Sequence, residues 1–145
     1  MGVVLENRFG EVMERRECVC FLLVENDQIL LEKRFNDACG ESYLNIPGGH
    51  FEAGETQVET LLREVEEELG VTPLAYTFLC SEQFDKFGPQ LLHYFVVTKW
   101  SGRVLNNELQ QLVWSPLKNV SLANKPDRVA VKCYQDSLVE DSSSN

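Results

Sequence analysis

Glu64, Glu67 and Glu68 stand at i, i+3 and i+4 in a chain of 145 residues, a spacing that puts three carboxylates on one arc of a helix. Like charges so placed repel one another and weaken the helix that carries them, unless solvent or a cation intervenes. For a Glu-rich helix taken alone, a solvated acidic face is the commoner reading. The segment before it alters the balance, because PGGHFEAGE, residues 47–55, brings two further acids, Glu52 and Glu55, together with three glycines and a proline. Glycine allows a backbone path that approaches a ligand closely. Carboxylates therefore arrive from a loop and a helix at one place, with no thiolate and little histidine among them. Such oxygen-rich sets suit hard cations, Mg²⁺ or Mn²⁺, which usually arrive with substrate phosphates.

The element that must position these acids is well marked. From Thr56 to Leu69 apolar residues recur at Val58, Leu61, Leu62, Val65 and Leu69, the periodicity of an amphipathic helix. Thr56 with Glu59 forms a capping box at its start, and Gly70 with Pro73 beyond marks its end. Strands are expected from CVCFLLV (18–24), QILLEK (28–33), YLNI (43–46), AYTFLCSEQF (75–84), LLHYFVVTKW (91–100) and QLVWS (111–115), with a turn at Glu25-Asn26-Asp27 joining the first two. PGGHFEAGE and DKFGPQ are loops by composition, and a closing helix is expected over 125–138. Residues 1–15 read as an N-terminal extension or peripheral strand, 16–138 as one domain, and 139–145 as a polar, disordered tail.

Composition narrows the function. Hydrophobic residues make up 43% of the chain and charged residues 25%, the balance of a globular domain large enough to bury a core. A net charge of −10 argues against a nucleic-acid partner, whose binding draws on Lys and Arg against phosphates. A small polyphosphate remains compatible if a divalent cation stands between it and the carboxylates. Five cysteines without a CxxC pair argue against a zinc or redox centre and for reduced thiols. No apolar run has membrane-spanning length, so no membrane partner and a cytoplasmic location are expected, as a monomer or homodimer.

GHFEAGETQVETLLREVEEELGV, residues 49–71, resembles the Nudix box at every defined position: G, five residues, E, seven residues, REUXEEXGU, where U is aliphatic. Nine specified positions at fixed spacing make a specific signature. The resemblance implies an α/β fold, an α/β/α sandwich with a mixed β-sheet between helices, and metal-dependent hydrolysis of a pyrophosphate bond in a nucleoside diphosphate derivative. It further implies that Glu64, Glu67 and Glu68 are catalytic and hold Mg²⁺ or Mn²⁺ together with the carbonyl of Gly48. Gly49, Glu55, Arg63 and Gly70 become structural residues of the box, with Arg63 bracing Glu67 and Glu55 holding the loop.

Outside the box, Glu108, Gln110 and Trp114 form E-x-Q-x-x-x-W, similar to a stretch of the MutT-like branch whose Glu reaches the metal. By the same likeness Arg34, Asn45, Ile46 and Asn124 are candidate substrate-binding residues; Asn124 is equally placed to be a turn residue before the last helix, and Arg34 to be a strand-end charge. Ile46 and Cys39 depart from that branch, which has Phe and His there. The expected activity is a nucleoside triphosphate pyrophosphohydrolase acting on small nucleotides, 8-oxo-dGTP among them. Hydrolysis of ADP-ribose, nucleotide sugars or dinucleoside polyphosphates, and a non-catalytic nucleotide-binding module, are the alternatives. His93, Tyr94 and Phe95 on one strand read as core before pocket.

Overall fold

A computed structural model describes residues 4–6, 12–36, 38–86, 88–109 and 111–143, with side chains for those between 15 and 140. The run from Cys18 to Val24 is apolar at every position, the pattern of a strand buried on both faces. It lies in strand β3 (Arg16–Glu25), after two short strands, β1 (Val4–Glu6) and β2 (Val12–Glu14), that pair with each other. A two-residue turn follows, with Asn26 and Asp27 at φ of 53° and 60°, the left-handed pair that a tight hairpin requires. β4 (Gln28–Asn36) then runs back. The hairpin pairs only at its base, Val24↔Ile29 and Glu25↔Gln28, and the two strands then part.

Each takes new neighbours. β3 pairs in parallel with β8 (Gln90–Ser101) over Arg16↔Gln90 to Leu23↔Val97, and β8 pairs antiparallel with β7 (Thr72–Phe84). β4 pairs antiparallel with β9 (Leu112–Pro116) and with β5 (Glu41–Asn45). The sheet is therefore mixed. Its two faces are read off β3 by alternation: Val19, Phe21 and Leu23 cluster with Leu61, Val65 and Leu69 of helix α1 (Gln57–Leu69). Cys18, Cys20, Leu22 and Val24 cluster with Ala130, Val131 and Tyr134 of helix α2 (Lys125–Ser143). Two helices enclosing one sheet make the expected α/β/α sandwich, and no helix among the described residues is long and apolar enough to cross a membrane.

Three local expectations change. Gly48–His50, read as loop, forms strand β6 against Cys18–Cys20; its glycines carry no strand propensity, but a Cβ on Gly48 would lie 2.6 Å from the Val19 carbonyl oxygen, so close approach selects the residue. The last helix continues through Ser143, past the 138 boundary and into the segment expected to be a tail. Val58, assigned to the apolar face of α1, is 36% exposed, and Thr60 is buried in that first turn, where its hydroxyl donates to Glu55 at 2.9 Å.

His93, Tyr94 and Phe95 are buried. Tyr94 donates to Asp127 at 2.6 Å, and the Ile46 amide donates to the same carboxylate at 3.0 Å, tying β8, the residue after β5 and the first turn of α2 to one acid. Burial raises the Asp127 pKa, while the Tyr94 and Ile46 donors pull it down. Asp127→Ala orphans two buried donors at about 1–3 kcal/mol each, so urea denaturation is expected to show a loss of roughly 2–5 kcal/mol, against a smaller loss for Asp127→Asn, which keeps one acceptor.

Candidate metal and phosphate site

The loop between β6 and α1 is held from inside by one carboxylate. Glu55 accepts the Glu52 amide at 2.8 Å, the Thr60 hydroxyl at 2.9 Å, and Arg63 through Nε at 2.6 Å and Nη2 at 2.8 Å. The Arg63 fork lowers its pKa from 4.5 to about 2, with the Glu52 amide contributing next. Arg63 continues outward: Nη2 donates to the His50 carbonyl at 2.9 Å, and Nη1 reaches Glu64 at 2.8 Å and Glu67 at 3.1 Å. One guanidinium thus fixes strand β6, the loop and two turns of α1. It uses the fixed planar donor geometry of Arg, which Lys lacks.

Helix α1 starts and ends as its sequence dictates. Thr56 and Glu59 exchange side-chain and backbone hydrogen bonds at the N-terminus, and Gly70 closes the other end at φ 70° with its amide on the Glu66 carbonyl. The carbonyls of Glu68 and Leu69, which a helix end leaves without intrahelical donors, are taken by the loop after β8: Asn107 N donates to Glu68 O at 3.0 Å and Leu105 N to Leu69 O at 2.9 Å. That docking brings Glu108, itself exposed, into the electrostatic surroundings of Glu68. Gln110 lies outside the described residues.

Glu68 is the anomaly. It is 5% exposed, and its Oε2 is buried without a hydrogen-bond partner. Burial raises its pKa first, the neighbouring Glu64 charge and a hydrogen bond to Glu64 next, and the charges of Glu32 and Glu108 after those, to about 9. Gly49 explains how Glu64 is accommodated, since a Cβ there would fall on the Glu64 carboxylate. Glu67 points outward and is held by Arg63. Among the described residues no three metal-ligating side chains are already gathered round one point. The donor set nevertheless fits a divalent ion: an unpartnered, buried carboxylate oxygen beside a second carboxylate, with no basic group paired to Glu68 among the described residues, is costly unless a cation completes it.

The other expected site residues divide. Arg34 lies at the edge of this cluster, its Nε 3.2 Å from Glu32 Oε1. Asn45 has a buried Oδ1 without a hydrogen-bond partner. Ile46, expected on a substrate wall, belongs to the α2-side core cluster, and its amide donates to Asp127. Asn124 precedes α2, with its carbonyl accepting the Arg128 amide at 3.2 Å. The residue before it, Ala123, lines a cavity of about 440 Å³ together with Lys33, Tyr43, Leu44, Val113 and Leu122. That cavity shares Leu44 and Leu122 with the α2-side core, whereas the carboxylates stand on the α1 side, so it is no part of the acid cluster. Glu32, buried at 5% exposure, is the residue that sequence reading missed; its one signal was an acid inside a strand.

The NUDIX domain family model matches residues 13–134. The chain is 29% identical over 103 residues to the 8-oxo-dGTP diphosphatase of Escherichia coli (strain K12), covering 70% of this chain and 80% of that protein. It is 30% identical to the CTP pyrophosphohydrolase of the same organism, over 70% of this chain and 76% of the relative. In structure it is similar to a MutT NUDIX hydrolase from Burkholderia pseudomallei, with a TM-score of 0.71 and 22% identity over 82% of this chain and 97% of that one.

The Glu55 anchor has a pH signature. Its folded pKa lies below its ordinary value, so its stabilising contribution is complete above about pH 4.5 and is lost as the pH falls toward 2. The difference in melting temperature between wild type and Glu55→Gln is expected to be constant near neutrality and to shrink across that acid window.

Proposed function

The chain belongs to the NUDIX domain family, and from that premise we propose that it is a magnesium-dependent nucleoside triphosphate pyrophosphohydrolase in which Glu64, Glu67 and Glu68 hold the metal. The coarser activity, hydrolysis of a pyrophosphate bond by a hydrolase acting on acid anhydrides, follows from the family and from the relatives named as diphosphatase and pyrophosphohydrolase. The observation that carries the finer reading is the partnerless Glu68 Oε2, buried next to Glu64. A divalent ion bound there supplies positive charge against the phosphoryl oxygens and lowers the pKa of a bound water.

The chain's own groups do the rest. Glu68 and Glu67 present carboxylate oxygens from adjacent helix positions, with the Gly48 carbonyl on the strand beside them and Glu108 on the loop docked to the helix end. Glu64 accepts the proton of the attacking water. Arg63 Nη1 keeps Glu64 oriented at 2.8 Å, and Glu55 fixes Arg63 in turn. Glu67, which now accepts from Arg63 at 3.1 Å, would be a further carboxylate able to hold the ion. Arg34, at the rim, is suited to a substrate phosphate, and Asn45 and Asn124 to polar groups of the nucleotide. The strongly acidic chain admits a polyphosphate only with cations between, which agrees with a small nucleotide arriving as its metal complex in the cytoplasm.

Among substrates, 8-oxo-dGTP, dGTP and CTP are the first choice, since the relatives that support the reading are named for 8-oxo-dGTP and CTP. Purified protein with Mg²⁺ is expected to convert at least one of them to the monophosphate and pyrophosphate faster than ADP-ribose or diadenosine tetraphosphate. Preference for either of the latter two would move the protein to another branch, and no turnover of any of them would make it a binding module. Glu68→Gln is expected to lower kcat by about 100-fold or more. The melting temperature of the ion-free variant near neutral pH should be close to that of wild type, because burial and the Glu64 charge already keep Glu68 protonated there and the glutamine replaces a neutral group with one of similar volume.

A further inference from the structure

The alternation of β4 assigns its residues to two faces. Ile29 and Leu31 belong to the cluster under α2 and Leu30 to the cluster under α1. Glu32 therefore stands on the α1 side, the side of Glu64 and Glu68, and its charge is among those acting on Glu68. Directly across the strand pair, Glu32↔Asn45, Asn45 shares that face and keeps a buried Oδ1 without a hydrogen-bond partner. Two buried acceptor oxygens without donors, Glu68 Oε2 and Asn45 Oδ1, thus belong to the face on which Glu32 is 95% shielded from solvent, being 5% exposed. Glu32 is paired with Arg34 Nε at 3.2 Å, and the Arg34 side chain is 48% exposed.

We propose that Glu32 of β4 is a metal-holding carboxylate of this chain, lying outside the box, with Arg34 as its counter-ion until a divalent cation arrives. The inference rests on the reading of Glu64, Glu67 and Glu68 given above and extends the site from a helix and its loop to the sheet. The Glu32 charge acts on the buried Glu68, and a cation held between two such carboxylates offsets their mutual repulsion. The Asn45 amide oxygen gives the same face a neutral donor of the kind that hard ions accept beside carboxylates. Once the cation neutralises Glu32, the Arg34 guanidinium is released at the rim, where an incoming phosphate is its natural partner.

The test is a calorimetric titration of Mn²⁺ into the ion-free protein without nucleotide. Glu32→Gln is expected to raise the Kd for Mn²⁺ about ten-fold or more, while Glu25→Gln, on the exposed hairpin, leaves it unchanged. Should Glu32→Gln fail to fold by circular dichroism, Glu32→Asp is judged by the same ten-fold criterion. A Kd within two-fold of wild type in the folded variant overturns the role of Glu32 and leaves the box site standing. Absence of Mn²⁺ binding by wild type overturns both.

Discussion

Burial of one carboxylate beside another is the constraint around which this protein is arranged. Glu68 lies in the interior next to Glu64, where each charge raises the cost of the other. The fold tolerates it because the surrounding scaffold is over-determined: Glu55 and Arg63 form a short, fork-shaped ion pair that locks loop to helix, and Arg63 spends its remaining donors on Glu64, Glu67 and the His50 carbonyl. Gly49 leaves the volume that Glu64 occupies. The loop after β8 closes the helix end from which Glu68 projects. These features belong to different segments of the chain, and each is needed for the acids to stand where they do.

The same reasoning separates stability from function. In the absence of an ion, Glu68 is a liability, and a buried carboxyl perturbed in this way marks a candidate functional site. Arg63 and Glu55 show the opposite pattern: complementary charges, full hydrogen bonding and short distances, which is how a structural ion pair looks when its geometry is good. The box therefore contains two kinds of acid that a sequence motif does not distinguish.

Helix α1 was fully legible from sequence, since a capping box, a 3.6-residue apolar period and a left-handed glycine all specify the same 13 residues. The double-faced burial of β3 was legible as an uninterrupted apolar run. β6 was not, because its glycines serve a close backbone approach that no propensity scale registers. The bond from the Ile46 amide to Asp127 was not legible, because it joins residues 81 apart in the chain. Glu32 escaped notice since QILLEK reads as an ordinary strand ending in charges, and only the assignment of Leu30 to the α1 side reveals which way its neighbour two residues on must point.

Anomalous diffraction from crystals grown with Mn²⁺ and a non-hydrolysable nucleotide would locate the ion. A manganese peak is expected within about 2.0–2.3 Å of a Glu68 carboxylate oxygen, shared with Glu64 or the Gly48 carbonyl and with a phosphate oxygen. A bound nucleotide whose metal lies elsewhere, with Glu68 still buried and paired to Glu64 alone, would contradict this placement of the ion.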